Sequence, residues 1–136
     1  MSISNMNFLE RILYLLQRYG VSYLKGAGTT LAIALVSTAI GCLIGFVVGV
    51  VQTIPVDKKR DSAAKRGLLR VVKMILKAYV ELFRGTPMIV QAVFIYYGLS
   101  QMFQIQLGMW SAAFLVVSIN TGAYMAESVR GGIISV

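Results

Sequence analysis

The sequence predicts an all-α membrane protein with three transmembrane helices and additional interfacial amphipathic helices, on three observations. Charged residues make up only 13% of the 136 positions, about half the roughly 25% of a soluble domain. Two uncharged runs, Gly26 to Val56 and Gly85 to Ala126, are each longer than the about 20 apolar residues that a bilayer-spanning helix needs; the first can hold one span and the second two. Eight of the 13 basic residues crowd between Lys58 and Lys77: Lys58, Lys59, Arg60, Lys65, Arg66, Arg70, Lys73 and Lys77. A short basic loop between spans is what the positive-inside rule keeps in the cytoplasm. Contact with lipid headgroups or nucleic acid is the alternative use of that charge, and its clustering between spans argues against nucleic acid.

Residues 1–28 read as an N-terminal amphipathic segment on the extracytoplasmic side. Phe8, Leu9, Ile12, Leu13, Leu16, Tyr19 and Leu24 recur at helical spacing, with Glu10, Arg11, Gln17 and Arg18 on other faces, so this helix should lie at the interface. A secretory signal peptide would have a basic start, a short apolar core and a small-residue cleavage site, and the long span fits an integral helix better. That first span covers 29–54. Leu, Ile, Val and Phe fill 13 of the 24 positions from Leu31 to Ile54, contributing roughly −4 to −8 kcal/mol to insertion with no charge opposing it. Ser37, Gly41, Gly45 and Gly49 repeat every four residues and let another helix approach closely. Packing inside one fold is preferred to a dimer seam. Pro55 and Asp57 end the helix.

Residues 55–86 form the basic cytoplasmic loop and an interfacial helix, where Leu68, Leu69, Val72, Ile75, Leu76, Tyr79, Val80 and Phe83 make an apolar stripe beside Arg70, Lys73, Lys77 and Glu81. Lys77 and Glu81 can pair for at most a few tenths of a kcal/mol. The second span covers 87–103, an outer loop 104–107 and the third span 108–127. With the basic loop inside, the N-terminus is outside and residues 128–136 begin on the cytoplasmic side. Tyr96, Tyr97 and Trp110 fall near the outer boundary, where amphipathic rings favour headgroup level.

The stretch "ELFRGTPMIVQ" interrupts this pattern with a helix break at Arg84, Gly85, Thr86 and Pro87. Gly85 should supply a left-handed residue that ends one helix, Thr86 the cap of the next, and Pro87 its first turn. In hydrocarbon the freed backbone groups would cost several kcal/mol each, so the break sits at the interface or is buried in protein. A place beside a substrate path is the functional alternative. In the third span Asn120, Tyr124 and Glu127 share a face, with Arg130 one turn beyond. A carboxylate at mid-span costs about 2.5–3.5 kcal/mol, so Glu127 should lie near the helix end or face a polar interior. Its roles are an ion pair, with Arg130 or another base, or contact with a cationic or zwitterionic solute.

Cys42 is the one cysteine and histidine is absent, so neither an internal disulfide nor a Cys/His metal site can form within this chain. The chain carries no Gly-x-x-x-x-Gly-Lys-Ser/Thr loop for nucleotide. No Ser/His/Asp or Cys/His set exists, and no motif positions Glu81 or Glu127 for acid–base work. These absences predict a non-enzyme without a cofactor of its own.

"ELFRGTPMIVQAVFIYYGL" and "NTGAYMAESVRGGIISV" resemble the membrane subunits of ATP-binding-cassette importers for polar amino acids. The resemblance runs from about "GAGTTLAIALVSTAIGCLIG" to the end. It implies a permease of the bacterial cell membrane with about five core spans, of which this chain holds the N-terminal three. It also implies a second permease subunit, identical or similar, two ATP-binding subunits carrying ATP and Mg, and an extracytoplasmic solute-binding protein. Glu127, Arg130, Gly131 and Gly132 map onto the approach to the cytoplasmic coupling loop, and Val136 falls just before that loop's own pattern. Two other readings are compatible with the composition: a non-transport anchor or assembly module, and a permease for another small solute.

Overall fold

The computed structural model describes residues 7–55 and 62–135. Helices α1 (Phe8–Thr53), α2 (Ala63–Gly85), α3 (Met88–Val93), α4 (Leu99–Phe103) and α5 (Met109–Ile134) follow one another, with a π-helical turn, Phe94–Gly98, between α3 and α4. No strand occurs among the described residues. Asp57, Lys58, Lys59 and Arg60 of the expected basic loop, and Val136, lie outside the described residues. The chain divides into two compact units, Met1–Ile33 and Ala34–Val136.

In the first unit α1 exposes apolar side chains on all sides, among them Phe8, Leu13, Leu16, Val21 and Leu24. Its polar groups find partners along the same helix. The Arg18 guanidinium donates to the Tyr14 hydroxyl at 2.7 Å and lies 5.9 Å from the ring centroids of Tyr14 and Tyr19. Thr29 and Thr30 donate back to the Lys25 and Gly26 carbonyls at 2.8 and 2.9 Å, which removes bare hydroxyls from an apolar surface. Helix α1 shows no break at the expected boundary between residues 28 and 29. The sequence there holds Gly26 and Gly28 but no proline, and glycine weakens a helix without ending it.

Two helices, α1 and α5, are long and apolar enough to cross a membrane; Met88–Phe103 is apolar but shorter than that requirement. By length and composition the described chain therefore offers two such spans where the sequence predicts three. The second uncharged run loses residues to the extended break before α3 and to the loop after α4, which leaves its first helix short.

In the second unit the small face of α1 packs against α5. Ser37, Gly41, Gly45 and Gly49 are all buried, as are Gly122, Ala123 and Ala126. A Cβ added at Gly41 would stand 2.6 Å from Thr121 Cβ, at Gly45 2.5 Å from Met125 Cβ, and at Gly49 2.7 Å from Val129 Cβ. The four-residue spacing thus serves a helix contact inside this unit. Helix α2 closes on the same pair through Val80, which clusters with Val48 and Ala126 and is flanked by Leu76 and Tyr79. The Tyr79 hydroxyl donates to the Ile119 carbonyl at 2.6 Å, and burial pushes its pKa up, so it stays a proton donor. A Cβ at Gly122 would lie 2.9 Å from that hydroxyl and 3.1 Å from Ile44 Cγ2, so α1, α2 and α5 converge there. The Lys73 ammonium donates to the Ile54 carbonyl just past the end of α1, the favourable place for a cation.

Replacing Gly45 with Ala should force α1 and α5 apart, costing about 1–3 kcal/mol. Gly67→Ala, where an added Cβ meets nothing within 4 Å, should be neutral or stabilising by up to about 1 kcal/mol. Thermal unfolding of the two variants in detergent checks this contrast; an unchanged midpoint for Gly45→Ala would refute the close contact.

Candidate functional site

The helix break is where the polar groups of the second unit gather. Proline disfavours a helical conformation in the residue before it, and Thr86 is extended at φ −114°, ψ 141°. Pro87, at φ −58°, ψ 134°, precedes the first residue of α3. Gly85 stays within α2, and no glycine has a positive φ. The expected left-handed glycine is therefore replaced by an extended Thr86–Pro87 pair, because the restriction imposed by Pro87 is enough to stop the helix. Nor does Thr86 cap α3: no side chain caps that helix. Its hydroxyl turns back to donate to the Leu82 carbonyl at 2.8 Å, satisfying one of the acceptors that the end of α2 leaves open.

Gln91, only 7% exposed, serves two further carbonyls. Its Nε2 lies 2.9 Å from the Phe83 carbonyl, 2.9 Å from the Thr86 carbonyl and 2.8 Å from the Thr86 hydroxyl oxygen. Asn120 on α5 completes the junction, with Nδ2 donating at 3.1 Å to the Phe83 carbonyl and to Gln91 Oε1. The orientation of both amides follows from these partners, since a turned Gln91 would set its oxygen against two carbonyls.

One turn along α5 the Arg84 guanidinium lies 5.6 Å from the centroid of the Tyr124 ring and 3.7 Å from Glu127 Oε2. Glu127 accepts from Arg130 through both carboxylate oxygens, with Nε to Oε2 at 3.1 Å. Asn120, Tyr124 and Glu127 therefore point as a set toward the end of α2, and the break and the α5 face form one site. Gly131 and Gly132 lie apart, exposed and with open space around them.

Gln91 belongs to this site although it lies outside the face of Asn120, Tyr124 and Glu127 that helical spacing marks. The available signal was an amide four residues after Pro87 within a run free of charge, where any polar side chain needs an internal partner. Chemically, the site offers an amide pair that holds broken backbone and a carboxylate between two guanidiniums. Among the described residues no group of three His, Cys, Asp or Glu side chains gathers.

Replacing Gln91 with Leu strips the Phe83 and Thr86 carbonyls of a shared donor and Asn120 of one of its two acceptors. It should destabilise the chain by about 1–3 kcal/mol, read as a lower midpoint in thermal unfolding.

No protein-family model matches the chain. It is 34% identical over 110 residues to the arginine transport system permease protein ArtQ of Bacillus subtilis, covering 81% of this chain and 44% of ArtQ. It is 38% identical over 122 residues to the nopaline transport system permease protein NocM of Agrobacterium fabrum, covering 83% and 45%. To the glutamine transport system permease protein GlnP of Escherichia coli it is 32% identical over 114 residues, covering 83% and 46%. The chain thus spans about half the length of the curated relatives it matches. The crystal structure of an amino acid ABC transporter with histidines aligns with 97% of this chain and 53% of its own, at a TM-score of 0.75 and 27% identity. Sequence and fold together make the chain a homologue of the permease subunits of amino-acid ATP-binding-cassette transporters.

Proposed function

We propose that the chain helps form the translocation pathway of an importer that moves a polar amino acid inward by alternating access. The observation that carries this reading is the alignment of four-fifths of the chain with permeases named for arginine, nopaline and glutamine. Hydrolysis of ATP, with Mg, belongs to two partner ATPase subunits, a second permease subunit completes the pathway, and an extracytoplasmic binding protein delivers the solute. Arg130, Gly131 and Gly132 lead toward the surface on which the ATPases act.

The topology proposed with it has three crossings, by α1, Met88–Phe103 and α5, with the N-terminus outside. The basic charge of α2 supports a cytoplasmic position for that helix. Met88–Phe103 is short for a full crossing, and local thinning of the bilayer accommodates short segments at modest cost. Inside such a bilayer the Gln91 amide would be admissible because all its partners are protein groups.

The break is the element to test. Without Pro87 the constraint on Thr86 is removed, so Pro87→Ala should let α2 run on into α3 and displace Arg84 from Tyr124 and Glu127. In proteoliposomes holding the assembled complex, ATP-driven uptake of the cognate amino acid should fall severalfold. Failure of the unaltered complex to take up any amino acid would sink the transport reading, and equal uptake by Pro87→Ala would remove the break from the mechanism.

A further inference from the structure

Between the C-terminal end of α1 and the facing sides of α2 and α5 lies a groove of about 450 Å3, within the roughly 300–1,000 Å3 of small-molecule sites. Four cations, Lys73, Lys77, Arg84 and Arg130, line it against two carboxylates, Glu81 and Glu127, an excess of two positive charges. Both carboxylates are already engaged. Glu81 pairs with Lys77 at 3.6 Å, and Glu127 takes two donors of Arg130 and faces Arg84.

The donors are not exhausted in the same way. Arg84 meets Glu127 only at 3.7 Å, beyond hydrogen-bond distance. Lys73 gives one N–H to the Ile54 carbonyl and has two more. Gln52, on the α1 side of the same groove, has a buried Nε2 with no acceptor among the described residues. Such a donor is unfavourable until an acceptor reaches it. Surplus donors, a surplus of positive charge and a buried amide without an acceptor call for a compact anion with several acceptor oxygens.

We propose that this groove binds a phosphate group, held by Lys73, Lys77, Arg84 and Gln52. A free phosphate dianion balances the charge excess and the monoanionic phosphodiester of a lipid headgroup offsets half of it, and in both the oxygens can reach several donors at once. Two sources share this chemistry: the headgroup of an anionic phospholipid, and free phosphate. Basic grooves between helices on the cytoplasmic side suit anionic headgroups, and the residues of α2 that line this one, Lys73, Lys77 and Arg84, share one face of the helix. The lipid source rests on the topology proposed above; the phosphate chemistry does not.

Native mass spectrometry of the full chain released from detergent tests this with phosphatidylglycerol, phosphatidylcholine and inorganic phosphate as probes. Preferential retention of phosphatidylglycerol over phosphatidylcholine assigns the lipid source, whereas saturable retention of inorganic phosphate without that preference assigns the free anion. In either case Lys77→Gln should weaken retention about five- to tenfold, and Arg84→Gln should do so at least as much. The Lys77 side chain is 74% exposed, so its loss leaves the packing intact and the test does not depend on Arg84. Retention of neither anion, or equal retention by both variants and the unaltered chain, overturns the proposal.

Discussion

The buried amide of Gln91 is the interaction on which the second unit depends. An apolar chain that breaks a helix exposes carbonyls that lipid cannot satisfy. Here one side chain, on the fourth residue of the next helix, reaches back to two of them. Asn120 then ties the same junction to α5. Without this exchange the break would be tolerable only in water. With it, the end of α2 is held against α5.

The contacts around that junction follow from a second constraint, close approach. Glycines on α1 bring its backbone against α5, and Gly122 leaves room for the Tyr79 hydroxyl to reach the Ile119 carbonyl. In lipid there is no hydrophobic drive between helices, so tight packing and shared hydrogen bonds must supply the attraction. Both are present where α1, α2 and α5 meet. The charged residues then occupy the rim of this packed region, where Glu127 sits between Arg84 and Arg130 and partial solvent exposure keeps the pairs modest in energy.

These features meet at one junction. A broken helix joined to a neighbouring helix by two amides and one arginine couples the orientation of α2 to that of α5. In the importer proposed above, this junction is a physical element on which alternating access would act.

Much of this was legible in the sequence because it rests on local rules. Length and lack of charge marked the apolar helices, the four-residue spacing of Ser37, Gly41, Gly45 and Gly49 marked a packing face, and Pro87 marked the break. The face of Asn120, Tyr124 and Glu127 followed from helical periodicity alone. What periodicity does not contain is the partner across space. That Gln91 serves the carbonyls of Phe83 and Thr86, that Arg84 lies over Tyr124, and that the glycine face meets α5 are contacts between elements. So is the gathering of Lys73, Lys77, Arg84 and Gln52 around one groove. The helix ending at Gly85 without a left-handed residue was decided by the proline two positions later, a conflict between two local signals that the tertiary structure resolved. The sequence by itself determined which segments are helical and apolar, since spacing and composition set those; only the tertiary structure decided which donor meets which acceptor, because that depends on how the helices pack.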